Sequence, residues 1–132
     1  LELQRAADAV YVDPALMEYA VKLVRATREP DAVSQRDLGR YIQFGASPRA
    51  SINLILAGRA LAFIRGRDYA LPQDVRDLAY DVIRHRLVLS YEALASNVTP
   101  DDVLEQLLTA VPLPEASLIE SRHGAHAVPH GR

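Results

Sequence analysis

The stretch FGASPRASINLILAGRALAFIRGRDYALPQDV, residues 44–75, decides the fold. Ser47 is a typical helix cap, and Pro48 suits the first helical position because its missing N–H has no partner there. The pattern predicts a helix over residues 48–65 that Gly66 ends. Apolar residues surround most of this helix, which indicates a central, buried position. Gly58 in its interior costs about 1 kcal/mol against alanine, so we expect a neighbouring helix to approach closely there.

Working outward from this helix, similar start signals recur along the chain. Helices are predicted over residues 1–9, 14–28 and 72–85, with a last one from Pro100 to about Val111. Asp13 and Thr99 are the expected caps of two of them. The segments YIQFG (41–45) and LVL (87–89) are predicted to be extended. The fold class is therefore all-α, a helical bundle of about five helices with a short strand-like segment.

The end of the sequence differs in composition from the rest. Residues 115–132 contain Gly, Pro, Ser and His with almost no apolar periodicity, which predicts a disordered C-terminal tail after one helical domain over residues 1–114. His123, His126 and His130 have a spacing that could hold a metal weakly. We interpret them as incidental tail residues, because no rigid scaffold is predicted to orient their rings, and we expect no metal site.

Composition excludes several classes of function. The chain has 132 residues, a net charge of −2 and no cysteine, so disulfides and thiolate metal sites are impossible. A DNA-binding domain usually carries a basic surplus, and this chain has none. No apolar run is long enough to span a membrane. The sequence begins at Leu1 directly in helical pattern, and we expect it to be a piece of a longer protein.

Catalytic motifs are absent from the sequence. It has no GxxxxGK[ST] phosphate loop and no GxGxxG fingerprint. The carboxylate pairs Asp74/Asp77 and Asp101/Asp102 are interpreted as first-turn helix charges, which the helix dipole favours. We therefore expect the chain to catalyse nothing by itself.

Arg49 stands out because it lies at the start of the central helix. The helix dipole is positive there and disfavours a cation by roughly 0.3–1 kcal/mol. One interpretation is a solvated surface arginine. The other is an anion site, because free backbone N–H groups at a helix start and a planar guanidinium both bind phosphate well. Position alone does not separate the two.

Four segments together resemble a known family. They are VYVDPALMEYAVKLVRATR (10–28), GASPRASINLILAGRALAFIRGRDYALPQDVRDLA (45–79), HRLVLSYEA (85–93) and VTPDDVLEQLLTAVPLP (98–114). In this order and spacing they resemble the C-terminal lid domain of MoxR-family AAA+ ATPases. The resemblance covers residues 1 to about 114. Relatives often place a capping side chain before Pro72, where this chain has Leu71.

The resemblance implies a role for Arg49 as the sensor 2 residue, which reaches the γ-phosphate of ATP. Ala46, Ser47, Pro48, Arg49 and Ala50 would border the nucleotide. ATP with Mg²⁺ would be held mainly by an upstream nucleotide-binding α/β domain that is absent from this chain. The lid would close over ATP and couple its hydrolysis to conformational change.

The resemblance also implies a biological setting. Such proteins form homo-oligomeric rings, commonly hexamers, and act as cytoplasmic chaperones that mature or activate client proteins. Some clients have von Willebrand factor A domains. Two other functions remain as alternatives. The first is a free-standing helical protein-interaction module, and the second is a helical DNA-binding domain, which the acidic composition disfavours.

Overall fold

The structure is a computed structural model that describes residues 2–32 and 38–126. These residues form seven α-helices and one two-stranded sheet. The helices are α1 (Glu2–Asp8), α2 (Pro14–Arg28), α3 (Arg49–Ile64), α4 (Pro72–Ile83), α5 (Tyr91–Ala95), α6 (Pro100–Ala110) and α7 (Ala116–His126). Strands β1 (Ile42–Phe44) and β2 (Val88–Leu89) pair antiparallel. The all-α prediction is confirmed.

Helices α2 and α6 form as their start signals predict. The Asp13 carboxylate accepts a hydrogen bond of 2.9 Å from the Ala15 N–H, and Pro14 is the first residue of α2. Thr99 and Asp102 cap α6 reciprocally, with a bond of 2.9 Å from the Thr99 N–H to the Asp102 carboxylate. The apolar residues that recur at helical spacing along α2, and along α6 and the residue after it, are all buried. These residues are Leu16, Tyr19, Ala20, Leu23, Val24, Val103, Leu104, Leu107, Leu108 and Val111.

Helix α3 is central, but less of it is buried than the sequence predicts. It packs against α1, α2 and α4, and its buried residues recur every four positions as Ala50, Leu54, Gly58 and Ala62. An added Cβ at Gly58 would lie 2.9 Å from Val75 Cγ2, which confirms the expected close approach of a neighbour. The opposite face exposes three large apolar side chains, Ile52, Leu56 and Ile64.

Two helices were not predicted from the sequence. Helix α5 has only five residues, too few to show a period, and the Ser90 hydroxyl caps it by accepting from the Ala93 N–H. Helix α7 contradicts the predicted disordered tail. Residues Ala116–His126 are helical and Ile119 is buried against the core, so the tail prediction is wrong over this range. Residues 127–132, including His130, lie outside the described residues.

Helix α7 is stabilised by contacts with charged and aromatic residues from much earlier in the sequence. Arg122 makes an ion pair with Asp13, and His123 Nε2 lies within hydrogen-bond distance of Asp68 Oδ1. The sequence-based interpretation of His123 as an incidental tail residue is therefore wrong. Its ring is stacked on Tyr69, with 4.7 Å between ring centroids. Apolar periodicity could not show this helix, because the contacts that hold it are mainly polar and aromatic.

A buried carboxylate organises the connection between α3 and α4. Asp74 accepts two hydrogen bonds from Arg67, at 2.6 and 2.8 Å, and one from Arg65 at 2.9 Å. It also accepts the Leu71 N–H at 2.7 Å, so a carboxylate inside α4 satisfies the N–H of the residue before the helix. Asp74 is thus more than the first-turn charge that the sequence suggested. Asp77 lies beyond the first turn of α4 and pairs with Arg65, so its interpretation as a first-turn charge is wrong.

The electrostatics of Asp74 follow from these contacts. Burial raises its pKa, but the hydrogen bonds from Arg67, Leu71 and Arg65 lower the pKa more. The net pKa lies below the ordinary value for aspartate, so the group is ionised in the folded protein at neutral pH. A fully buried anion of this kind is stable only while its donors remain in place.

Candidate functional site

The candidate site is the first turn of α3, which begins at Arg49. Pro48 precedes it with helical backbone angles, φ −54° and ψ −26°. The Ser47 carbonyl accepts the Ala50 N–H at 2.9 Å, and the Pro48 carbonyl accepts the Ser51 N–H at 3.1 Å. No side chain caps the helix, so the prediction that Ser47 caps it is wrong. Because Pro48 already has a helical backbone, the turn closes through main-chain carbonyls instead.

The turn before α3 is anchored to the end of α2. The Ala46 N–H donates to the Thr27 hydroxyl at 2.9 Å, and that hydroxyl donates to the Val24 carbonyl at 2.6 Å. Thr27 and Ala46 are both 1% exposed, and Ala50 is completely buried. The start of α3 is therefore held in one position by a buried polar contact and close packing.

Gly45 permits this anchoring because it has no side chain. A Cβ at this position would collide with the backbone carbonyl of Thr27 and would lie 2.8 Å from the Arg28 nitrogen. We predict that Gly45→Ala lowers the free energy of unfolding by roughly 1–3 kcal/mol, because backbone atoms on both sides must shift. Urea denaturation measures the loss.

Gly124→Ala is the matched control for this substitution. A Cβ at Gly124 would meet nothing within 4 Å, and the residue lies in a helix, so the change should be neutral or slightly stabilising. Equal stability of the Gly45→Ala variant and the unsubstituted chain would contradict the close approach at Thr27.

Arg49 itself is exposed and has no charge partner in the part of the chain that the structure describes. It makes no hydrogen bond or ion pair with any residue in 2–32 or 38–126. The first turn of α3 also carries no acidic residue to offset the cation. In contrast, Arg65, Arg67 and Arg84 are all bonded to carboxylates. The exposed Ser47, Pro48 and Arg49 thus leave a guanidinium at a helix start open to an anion.

An open cavity of about 380 Å³ lies beside this turn, between α2 and α3. It has both apolar and charged lining residues, which are Val21, Val24, Arg25, Arg28, Glu29, Pro48 and Ser51. Arg28 is exposed and, within the described ranges, is bonded to no carboxylate. The sequence did not place Arg28 near the site, because that proximity depends on how α2 packs against α3. The only feature of the sequence that pointed to Arg28 was its position in the last turn of α2.

The family of the chain follows from a match that spans the site. Residues 34–107 match the family model described as the AAA lid domain. The chain belongs to the AAA lid domain family. The match includes α3, α4 and the sheet, and it places Arg49 and the turn before it inside the lid fold.

Named relatives narrow the family further. The chain is 45% identical to Chaperone MoxR1 of Mycobacterium tuberculosis over 129 residues, which cover 98% of this chain and 34% of the relative. It is 36% identical to Protein MoxR of Paracoccus denitrificans over 112 residues, covering 80% of this chain and 33% of the relative. The resemblance to the lid of MoxR-family AAA+ ATPases is confirmed.

A solved structure supports the same fold. The lid is similar to part of a Cytophaga hutchinsonii protein described as a candidate ATPase, with a TM-score of 0.80 and 37% identity. The match covers 84% of this chain and 34% of that protein. The chain thus spans about a third of the length of the relatives it matches.

Proposed function

We propose that this chain is the lid of a MoxR-type AAA+ ATPase and that Arg49 acts as its sensor 2 residue, in contact with the γ-phosphate of ATP. The observation that carries the proposal is the state of Arg49. It is exposed, unpaired among the described residues, and fixed at the start of a helix whose preceding turn is anchored to α2. This position combines a free guanidinium with a helix start, and both favour a bound phosphate.

The residues of the turn fit a phosphate group and do not fit a metal ion. The guanidinium and the helix N–H groups are donors, and no carboxylate lies in the first turn of α3 to bind Mg²⁺. Mg²⁺ therefore belongs to the upstream nucleotide-binding domain that the proposal requires. Within the proposed nucleotide-binding set, Ser47, Pro48 and Arg49 are exposed and would face ATP. Ala46 and Ala50 are buried and would support the turn from beneath.

Arg49 would have two effects on the reaction. Phosphoryl transfer builds charge on the equatorial oxygens of the transferred group, and a positioned guanidinium stabilises that charge. ADP lacks the γ-phosphate, so the Arg49 contact exists in only one nucleotide state. This differential contact is what a ligand needs in order to shift the equilibrium between open and closed lid positions.

The name of one relative supports a biological role. That relative is called a chaperone. We propose that the parent protein works as a cytoplasmic homo-oligomeric ring, commonly a hexamer, that matures or activates client proteins. Clients with von Willebrand factor A domains are included in this proposal. No helix in the described ranges is long and apolar enough to cross a membrane.

Amide hydrogen exchange in the parent protein and in the chain alone tests the proposal. In the parent, a non-hydrolysable ATP analogue should slow exchange at residues 50–53, and ADP should have little effect there. In the chain alone neither nucleotide should change exchange, because one arginine and one helix start give a Kd of about 1 mM or weaker. Equal protection by ATP analogue and ADP in the parent would overturn the γ-phosphate assignment.

A further inference from the structure

Helix α7 covers a surface where two distant segments meet. Tyr11 and Asp13 lie in the junction between α1 and α2, and Asp68 and Tyr69 lie in the connection between α3 and α4. Backbone bonds join the two segments. The Tyr11 N–H donates to the Asp68 carbonyl at 2.8 Å, and the Ala70 N–H donates to the Tyr11 carbonyl at 2.9 Å. This bridge ties the end of α1 to the bundle.

Three kinds of contact hold α7 on the bridge. Arg122 Nη1 lies 2.9 Å from Asp13 Oδ1, and His123 Nε2 lies 3.0 Å from Asp68 Oδ1. The His123 ring centroid is 4.7 Å from that of Tyr69 and 5.4 Å from that of Tyr11. Ile119 is the apolar anchor, with 1% of its surface exposed. The contacts therefore reach both segments of the bridge at once.

These contacts are few and can be lost at little cost. Among the described side chains, α7 buries one large apolar residue, whereas α6 buries four. If α7 leaves, Asp13 keeps its bonds from the Ala15 N–H and the Tyr11 hydroxyl. Asp68 is already 81% exposed, so water can replace His123. Both carboxylates would therefore keep hydrogen-bond partners, and elements with few buried apolar contacts open well below global unfolding.

We propose that α7 is a reversible strap that holds the junction between α1 and the bundle. When it is docked, the Tyr11–Asp68 bridge is covered and α1 is fixed against α3. When it is undocked, the two tyrosine rings and the bridge are exposed to water, and α1 can pivot at residues 9–12. If the proposed function holds, α1 leads towards the nucleotide-binding domain, so the strap would set how freely the lid closes. Only that last step rests on the proposed function.

Amide exchange on the chain itself tests the strap. In the unsubstituted chain, the amides of α7 should exchange at least 100-fold faster than those of α6, since α7 opens without global unfolding. The Arg122→Ala/His123→Ala double variant and a chain ending at Glu115 should each speed exchange at the Tyr11 and Ala70 amides at least tenfold. Residues 54–62 of α3 should not change. Glu120→Ala, an exposed position on α7, is the matched control and should leave all of these rates unchanged.

Three outcomes would overturn the strap. If α7 exchanges only at the rate of global unfolding, it is a fixed part of the core. If removing it speeds exchange in every helix, the same conclusion follows. If the chain without α7 keeps slow exchange at Tyr11 and Ala70, α7 does not hold the bridge. ATP turnover is measured separately, in the unsubstituted parent protein and in its double variant. Turnover tests the proposed function, whereas the exchange rates test the strap. A parent with no turnover at all would contradict the ATPase lid and leave the exchange result standing.

Discussion

Replacing Arg49 with alanine in the parent protein should lower kcat for ATP hydrolysis by about 100-fold or more, while the affinity for ATP changes by less than about tenfold. A positioned donor that acts mainly on transition-state charge typically contributes roughly 10²–10³ in rate. Arg49 has no competing carboxylate among the described residues, so its guanidinium is available without breaking another bond. Steady-state phosphate release and nucleotide titration measure the two quantities.

Two further variants test whether the effect is specific to the guanidinium of Arg49. Arg49→Lys keeps the charge but loses the planar fork, so it should restore only part of the rate. Arg86→Ala removes an exposed arginine whose Nε donates to the Val82 carbonyl, far along the chain from the turn, and should leave kcat unchanged. Unchanged turnover in Arg49→Ala would make Arg49 an ordinary surface residue. In that case the lid would act as a spacer or an interaction surface.

Replacing Asp74 with alanine should lower the free energy of unfolding by about 3 kcal/mol. The substitution leaves Arg67, which is 21% exposed, without its two carboxylate bonds, and it also removes the acceptor of the Leu71 N–H. Losing one partner of a buried pair typically costs 3–5 kcal/mol. We expect the lower end of this range because water can reach both arginines. Urea denaturation of the chain alone provides the measurement.

The neighbouring carboxylate provides the control for Asp74. Asp77 is 33% exposed and, among the arginines that the structure describes, pairs with Arg65 alone, so Asp77→Ala should cost about 1 kcal/mol or less. If both variants lost similar amounts of unfolding free energy, burial of Asp74 would add nothing to the stability of the chain.

Acid titration is a second measurement of the same effect. The pKa of Asp74 in the folded chain lies below its ordinary value of 3.8, so its stabilisation is present above that value. That stabilisation is lost as the pH falls through the pKa of Asp74 in the folded chain. Over this pH range the Asp74→Asn variant should lose less stability than the unsubstituted chain.

Prediction from the sequence succeeded where the signal is local. The pairs Asp13–Pro14 and Thr99–Pro100 each place a cap, a proline and an apolar stripe within one or two turns, so α2 and α6 begin at the predicted residues. The start of α3 was located to within one residue, although its cap was wrong. Local chemistry decides these features, and tertiary packing changes them little.

Features that depend on distant contacts could not be predicted in the same way. Helix α7 is held by an ion pair between Arg122 and Asp13, which are 109 positions apart, and by rings from two other segments. The cavity beside Pro48 exists because α2 and α3 pack side by side. For the site, the sequence indicated Arg49 and its turn. It did not indicate the Thr27 anchor or the proximity of Arg28.

The length and rigidity of α3 give the lid the properties of a lever. Its 16 residues span about 24 Å, with Arg49 at one end and the turn secured by Asp74 beyond the other. Helices α3 and α4 approach closely at Gly58, where an added Cβ would lie 2.9 Å from Val75 Cγ2. A tilt of about 5° around the Arg49 end would therefore displace the opposite end by about 2 Å. Under the proposed function, such a tilt on loss of the γ-phosphate would carry the change from Arg49 to the junction between α1 and the bundle.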